Sequence, residues 1–229
     1  YSIRETMGLI SMGVALFWSA GRIDWWPAWA VLAVMLAWVV ATAIVILRFN
    51  PDLLAERLGP RKGSKLWDTA IVTMCLRESG VSADHPKLKR ACEWLMEKEI
   101  RFAGDWIHKN PARVEPSGWV FEYNNKWNPD VDDTAMVLLA LRQVPTDNPA
   151  RRDECFQRGL KWMMTFQCKD GGWAAFDKDC TNNILEKVPF ADHNAMLDPE
   201  CADITARILE LVGYEGYNLD DPQVRAGIR

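Results

Sequence analysis

The chain of 229 residues is long enough for one large domain or two small ones, and its 49% hydrophobic and 25% charged composition excludes wholesale disorder. A net charge of −4 argues against non-specific nucleic-acid binding, which needs concentrated Lys and Arg, so no nucleic-acid partner is expected. Twelve Trp, against eight Phe and four Tyr, point to a membrane-interface belt or an aromatic-lined cavity.

The first apolar stretch runs from Met7 to Ala20 and reads either as a short span starting near Ser2 or as an interfacial helix. After GRIDWW, whose Trp25 and Trp26 suit the headgroup level, Pro27 to Leu47 gives 21 residues without a charge. A helix of that length spans roughly 30 Å, the thickness of a bilayer core. A cleaved signal peptide fits poorly, because no small-residue cleavage site follows a single apolar region. Arg48, Arg57, Arg61, Lys62 and Lys65 then place the following chain on the cytoplasmic side. Residues 1–66 are therefore expected to form a transmembrane helical hairpin in the cytoplasmic membrane. The run RFNPDLLAERLGPRKGSK, Arg48 to Lys65, resembles the membrane methyltransferases related to isoprenylcysteine carboxyl methyltransferase. Nothing matches the cofactor-binding part of that family, so no methyl-transfer site is assigned and the segment is expected to act as an anchor with a basic flank.

From Trp67 the chain is punctuated by Gly80, Gly104, Pro145–Pro149 and Gly171–Gly172. Helices are expected over Thr69–Glu78, Pro86–Glu99, Thr134–Gln143, Asp153–Phe166 and Ile204–Val212, with no run of strands. A repeat links them. LWDTAIVTMCLRESG, VDDTAMVLLALRQVP and ADITARILELVG share an Asp/Thr start and, in the first two, an apolar run that implies a buried inner helix. Arg90–Trp106 and Arg158–Trp173 share a basic residue, a small residue, an aromatic, Glu or Gln, and Gly-x-Trp. The unit is a helix pair closed by a Trp-bearing turn, in which Trp106 and Trp173 staple neighbouring helices. The six Cys contain no CxxC pair and read as small buried hydrophobes.

Arg158-Gly159, Trp162, Gln167 and Gly171-Gly172-Trp173 match the repeated QW motif of the squalene–hopene cyclases. GWVFEYNNKWNPDVDDTA, Gly118 to Ala135, resembles the segment that holds their DxDD-TA acid motif; WDTA, GGWAAFDKD and DPECADITA also match. The resemblance covers residues 67–229. It implies an all-α fold, a segment of a terpenoid-cyclase α/α barrel, bound to membrane. It also implies squalene or a similar polyprenyl hydrocarbon as substrate, membrane lipid as partner, and no cofactor. It leaves room for a homodimer. Because the match covers the central part of the family, an incomplete enzyme is expected.

Protonating an alkene needs a strong, dry acid. Asp130, Asp132 and Asp133 crowd three carboxylates into four positions, which raises the proton affinity of at least one. The resemblance makes Asp132 the proton donor, with Asp130 and Asp133 tuning it. Asp132 or Asp133 could also simply cap a helix starting at Thr134. Asp203 and Arg207, four apart, share a helix face, and the resemblance puts that pair beside the acid, where Arg207 would hold the carboxylate left behind. Phe121, Trp162, Phe176 and Trp67 match cavity aromatics that would stabilise carbocations, and Asp68 would line the acid's hydrogen-bond network. Trp119 and Trp127 read as cavity or core, and Asp177 as a turn former.

No metal is expected: the DDxxD spacing is absent, and Cys180, Asp192, His193 and Cys201 match no standard zinc set. The competing expectations are a non-catalytic membrane-anchored fragment, a methyltransferase-family protein, and an α/α-barrel hydrolase using paired Asp.

Overall fold

A computed structural model describes residues 2–49, 65–108, 110, 112–121, 127–180 and 197–228. They divide into two compact units, Tyr1–Lys62 and Gly63–Arg229.

The first unit is a helix pair, α1 (Ser2–Ala20) and α2 (Trp26–Phe49). A tight turn at Gly21 reverses the chain, and the Trp29 indole N–H locks the start of α2 by donating to the Ile23 carbonyl at 2.8 Å. The helices meet where the Phe17 and Trp29 rings lie 4.9 Å apart and where Gly13 admits Leu32. Most apolar side chains of α2 face outward, Trp26, Val34, Trp38 and Ile44 among them. Among the described residues, one stretch, Trp26–Val45, is long and apolar enough to cross a membrane. Residues 50–64, which carry most of the methyltransferase-like run, lie outside the described residues.

Among the described residues of the second unit, the regular elements are helices, apart from one isolated bridge between Trp119 and Asp130. Its elements are α3 (Lys65–Glu78), α4 (Pro86–Glu97), a 3₁₀ turn (Asp105–His108), α5 (Val131–Gln143), α6 (Pro149–Met164), α7 (Ala202–Tyr214) and α8 (Pro222–Gly227). Three of them, α4, α6 and α8, begin with Pro behind a capping side chain, His85, Asn148 and Asp221. Proline lacks the N–H that a first turn leaves unpaired, so these starts are set by sequence. The expected helices are all present. Four begin two to four residues earlier than expected, at Lys65, Val131, Pro149 and Ala202.

Helices α3, α5 and α7 pack side by side, and α4, α6 and α8 back them. The central member, α5, buries Val131 and every residue from Asp133 to Leu141, which its run of Val, Leu, Met and Ala allows. The core joins it to Leu95, Trp119, Trp162, Phe166, Trp173 and Ile208.

The sequence repeat is a hydrogen-bond repeat. Trp119 donates its backbone N–H to Thr134 Oγ1 at 3.0 Å, and Trp173 donates its own to Thr205 Oγ1 at 3.0 Å. Asp130 N–H reaches the Trp119 carbonyl at 2.6 Å, and Cys201 N–H the Trp173 carbonyl at 3.0 Å. Ile100 N–H meets the Gly118 carbonyl at 2.9 Å as Cys168 N–H meets that of Gly172 at 2.8 Å. The counterpart of Trp173 is therefore Trp119, a correction to the expected Trp106. An insertion carrying Trp106 separates Glu99 from Gly118-Trp119 and hides the register. Trp106 is nevertheless buried, edge-on to Trp162 at 5.7 Å.

Arginines link the inner row. Arg77 of α3 donates to the Gln143 carbonyl at the end of α5, and Arg142 of α5 donates to the Tyr214 carbonyl at the end of α7, both at 3.2 Å. Glu99 and Arg158 form a two-pronged buried pair at 2.7 and 2.8 Å that ties the Trp-bearing turn to α6.

Candidate active site

The Asp-rich turn sits at the start of α5, where unpaired N–H groups favour negative charge. Asp130 is the N-cap: its Oδ1 accepts from Asp132 N–H at 2.7 Å and Asp133 N–H at 3.2 Å. This corrects the expectation that Asp132 or Asp133 would cap a helix starting at Thr134. The helix starts at Val131, and capping by Asp130 frees the other two side chains.

Asp133 is buried, and its Oδ1 has no hydrogen-bond partner among the described residues. Desolvation, and then the neighbouring Asp130, push its pKa up to about 8. Burial also raises Asp130, to about 7, with Asp198 adding to the rise and the Asp133 amide and Arg207 opposing it. Both are therefore carboxyl groups that hold protons far above the usual carboxylate range.

Asp132 is only partly buried and forms an ion pair with Arg207, which reaches across from α7. The Arg207 guanidinium also lies over the Trp67 ring of α3, 5.3 Å from its centroid. Three inner helices thus converge on one carboxylate. Asp203 was expected to pair with Arg207, but it is exposed. Arg207 instead reaches a partly desolvated carboxylate, where attraction is less screened than at the surface.

The aromatic set divides. Phe121 and Phe176 are exposed, and Trp67 is half-buried. Trp162 is not available as a cavity wall: it is fully buried, 4.5 Å from Phe166 and edge-on to Trp106. Trp119 is also core, while Trp127 is exposed and edge-on to Phe102 at 4.5 Å. Asp68 is exposed on the first turn of α3. Asp192 and His193 of the loose zinc set lie outside the described residues. Elsewhere, Cys168, Asp170 and Glu200 bring possible ligand atoms within 4.8 Å of one another.

Sequence reading missed Asp198. Its Oδ2 accepts from Phe176 N–H at 2.6 Å. The Ala175 carbonyl in turn accepts from Val131 N–H, the first amide of α5, at 2.7 Å. The Asp-Pro step reads as a turn, and no local signal tied it to the acid.

Residues 63–229 match the model of the squalene-hopene cyclase C-terminal domain. Over 155 residues the chain is 39% identical to the squalene–hopene cyclase of Alicyclobacillus acidocaldarius, covering 68% of this chain and 24% of that protein. It is 48% identical over 150 residues to the dammaradiene synthase of Dryopteris crassirhizoma, covering 66% and 22%. It is 38% identical over 174 residues to the squalene-hopene cyclase of Schizosaccharomyces japonicus, covering 72% and 26%. The chain spans about a quarter of the length of these relatives. No finding supports the methyltransferase resemblance of the N-terminal stretch. From residue 63 onward, the chain belongs to the squalene-hopene cyclase family.

Proposed function

We propose that this chain carries the acid centre of a triterpene cyclase, an intramolecular transferase that folds squalene or a similar polyprenyl hydrocarbon into rings. The observation that carries the reading is the Asp132–Arg207 ion pair, set beside two aspartates with raised proton affinity. Asp132 gives its proton to the terminal alkene. The alkene's π electrons form the new C–H bond and leave a tertiary carbocation, which the next alkene attacks. The sequence ends by proton loss or water capture. Arg207 holds the carboxylate that remains, and the ion pair in the structure corresponds to that state. Asp130 fixes the turn, and Asp133, protonated at neutral pH, adds no second negative charge beside the donor.

Phe121 and Phe176 are the exposed aromatics of the assigned set and would face the cation, each contributing roughly 0.5–2 kcal/mol. Trp67 serves the site through Arg207. Asp203 and Asp68 keep only supporting roles at its edge. The relatives' names cover hopene and dammaradiene skeletons, so the reading stops at the reaction class. The helix pairs extend to a closed α/α barrel only with further repeats, and the present segment is read as part of one. The outward apolar surface of α2 supports anchoring in a bilayer, with the cyclase unit on the cytoplasmic side.

Asp132→Asn, in the longest polypeptide the gene encodes, removes the transferable proton and preserves shape. Squalene turnover should fall below detection while helical content and melting temperature stay unchanged. Cyclisation retained by the variant would remove Asp132 from the donor role.

A further inference from the structure

The loop Ala174–Asp177 lies between the acid helix α5 and the lead-in to α7, and it carries Phe176. Three contacts fix it. Asp198, three residues ahead of the α7 N-cap Cys201, accepts the Phe176 N–H at 2.6 Å. Ala175 uses its carbonyl to accept the Val131 amide at 2.7 Å. Trp173, just before the loop, is pinned by Thr205 and Cys201 of the α7 start. An amide held by a carboxylate is a charge-assisted clamp, stronger than a neutral hydrogen bond. The clamp runs from Asp198, through the loop, to the first amide of the acid helix. The α7 that follows brings Arg207 to the same acid.

We propose that Asp198 is a positioning residue of the cyclisation site: it fixes the Ala175–Asp177 loop, and through the Ala175 carbonyl it fixes the start of α5 and presents Phe176. This rests on the cyclase reading for its purpose, but the clamp itself does not. Asp198 touches no reacting atom in this scheme. It holds the backbone of an aromatic wall and of the acid helix in one register, and it lends its charge to the surroundings of Asp130. A site that must orient a proton donor against one alkene loses rate when that register loosens.

The test is amide hydrogen exchange on this chain, comparing wild type with Asp198→Ala and Asp198→Asn. Exchange at residues 175–177 and at 131–134 should rise by about tenfold or more in Asp198→Ala, while α6 is unchanged. Unchanged exchange at 175–177, or a rise there with none at 131–134, would overturn the proposal. If Asp198→Ala loosens the whole unit, Asp198→Asn decides. Asn keeps the shape but weakens the clamp, so the same two segments must still exchange faster than α6. Turnover is measured in parallel in the longest encoded polypeptide. There Asp198→Asn should lower kcat by about tenfold with KM within about threefold, because one charge-assisted contact is weakened. Equal kcat would also overturn the proposal. A confirmed exchange pattern with no triterpene formed by wild type would sink the cyclase reading and leave the clamp standing.

Discussion

At the DVDD turn, three chemically identical side chains have three different fates. Asp130 spends its carboxylate on backbone amides, Asp132 meets Arg207, and Asp133 is buried with no partner for its Oδ1 among the described residues. Position along one helical turn decides which faces amides, cation or core. The burial of Asp133, with Asp130 beside it, should be measurable as a stability cost. Asp133 titrates near 8 when folded and near the ordinary 3.8 when unfolded, so the unfolded chain ionises first as pH rises. Stability contributed by the protonated group is complete in acid and is lost between about pH 4 and pH 8. Asp133→Asn should therefore raise stability on the order of a few kcal/mol at about pH 8, and change it little at about pH 4. Thermal melts at the two pH values check this; a destabilised variant at the higher pH would contradict the buried, protonated assignment.

The repeated element is a helix pair whose turn delivers a Trp backbone amide to the Thr of the next inner helix. Gly171 makes one such turn possible: its φ is +103°, and a Cβ would stand 2.2 Å from the Ala226 carbonyl oxygen. Gly171→Ala should cost about 2 kcal/mol or more, since both backbone and neighbour must shift. Gly213 in α7 has open space around it, so Gly213→Ala should be neutral or stabilising by up to about 1 kcal/mol. Denaturant melts of the pair check the opposite signs. Much of this level was legible in the sequence: apolar runs, Pro at first turns and Gly at reversals give the helices. Two things were not. The insertion between Glu99 and Gly118 hid which Trp repeats Trp173, because spacing cannot show which residues a loop excursion bypasses. The start of α5 was set by the cap at Asp130, which apolar periodicity does not mark, and α7 begins after Cys201 with no capping side chain to signal it.

The whole molecule joins an outward-facing apolar helix pair and a helix-repeat unit, each compact in itself. The family of the second unit was legible because several motifs occur in order along it. The site was legible in its residue types but not in its contacts. Arg207 and Trp67 come from other inner helices, and the choice of Asp132 over Asp203 as the arginine's partner depends on how the rows pack. Trp162 shows the reverse error: a residue that fits a cavity by motif is sealed in the core by Trp106 and Phe166.

The most direct test of proton-initiated cyclisation is the isotope content of the product. Squalene is incubated in D₂O with the longest encoded polypeptide, beside Asp132→Asn, and the triterpene is analysed by mass spectrometry. The account predicts a product carrying one carbon-bound deuterium from wild type, and no product from the variant. A product without deuterium, or equal product from Asp132→Asn, would contradict it.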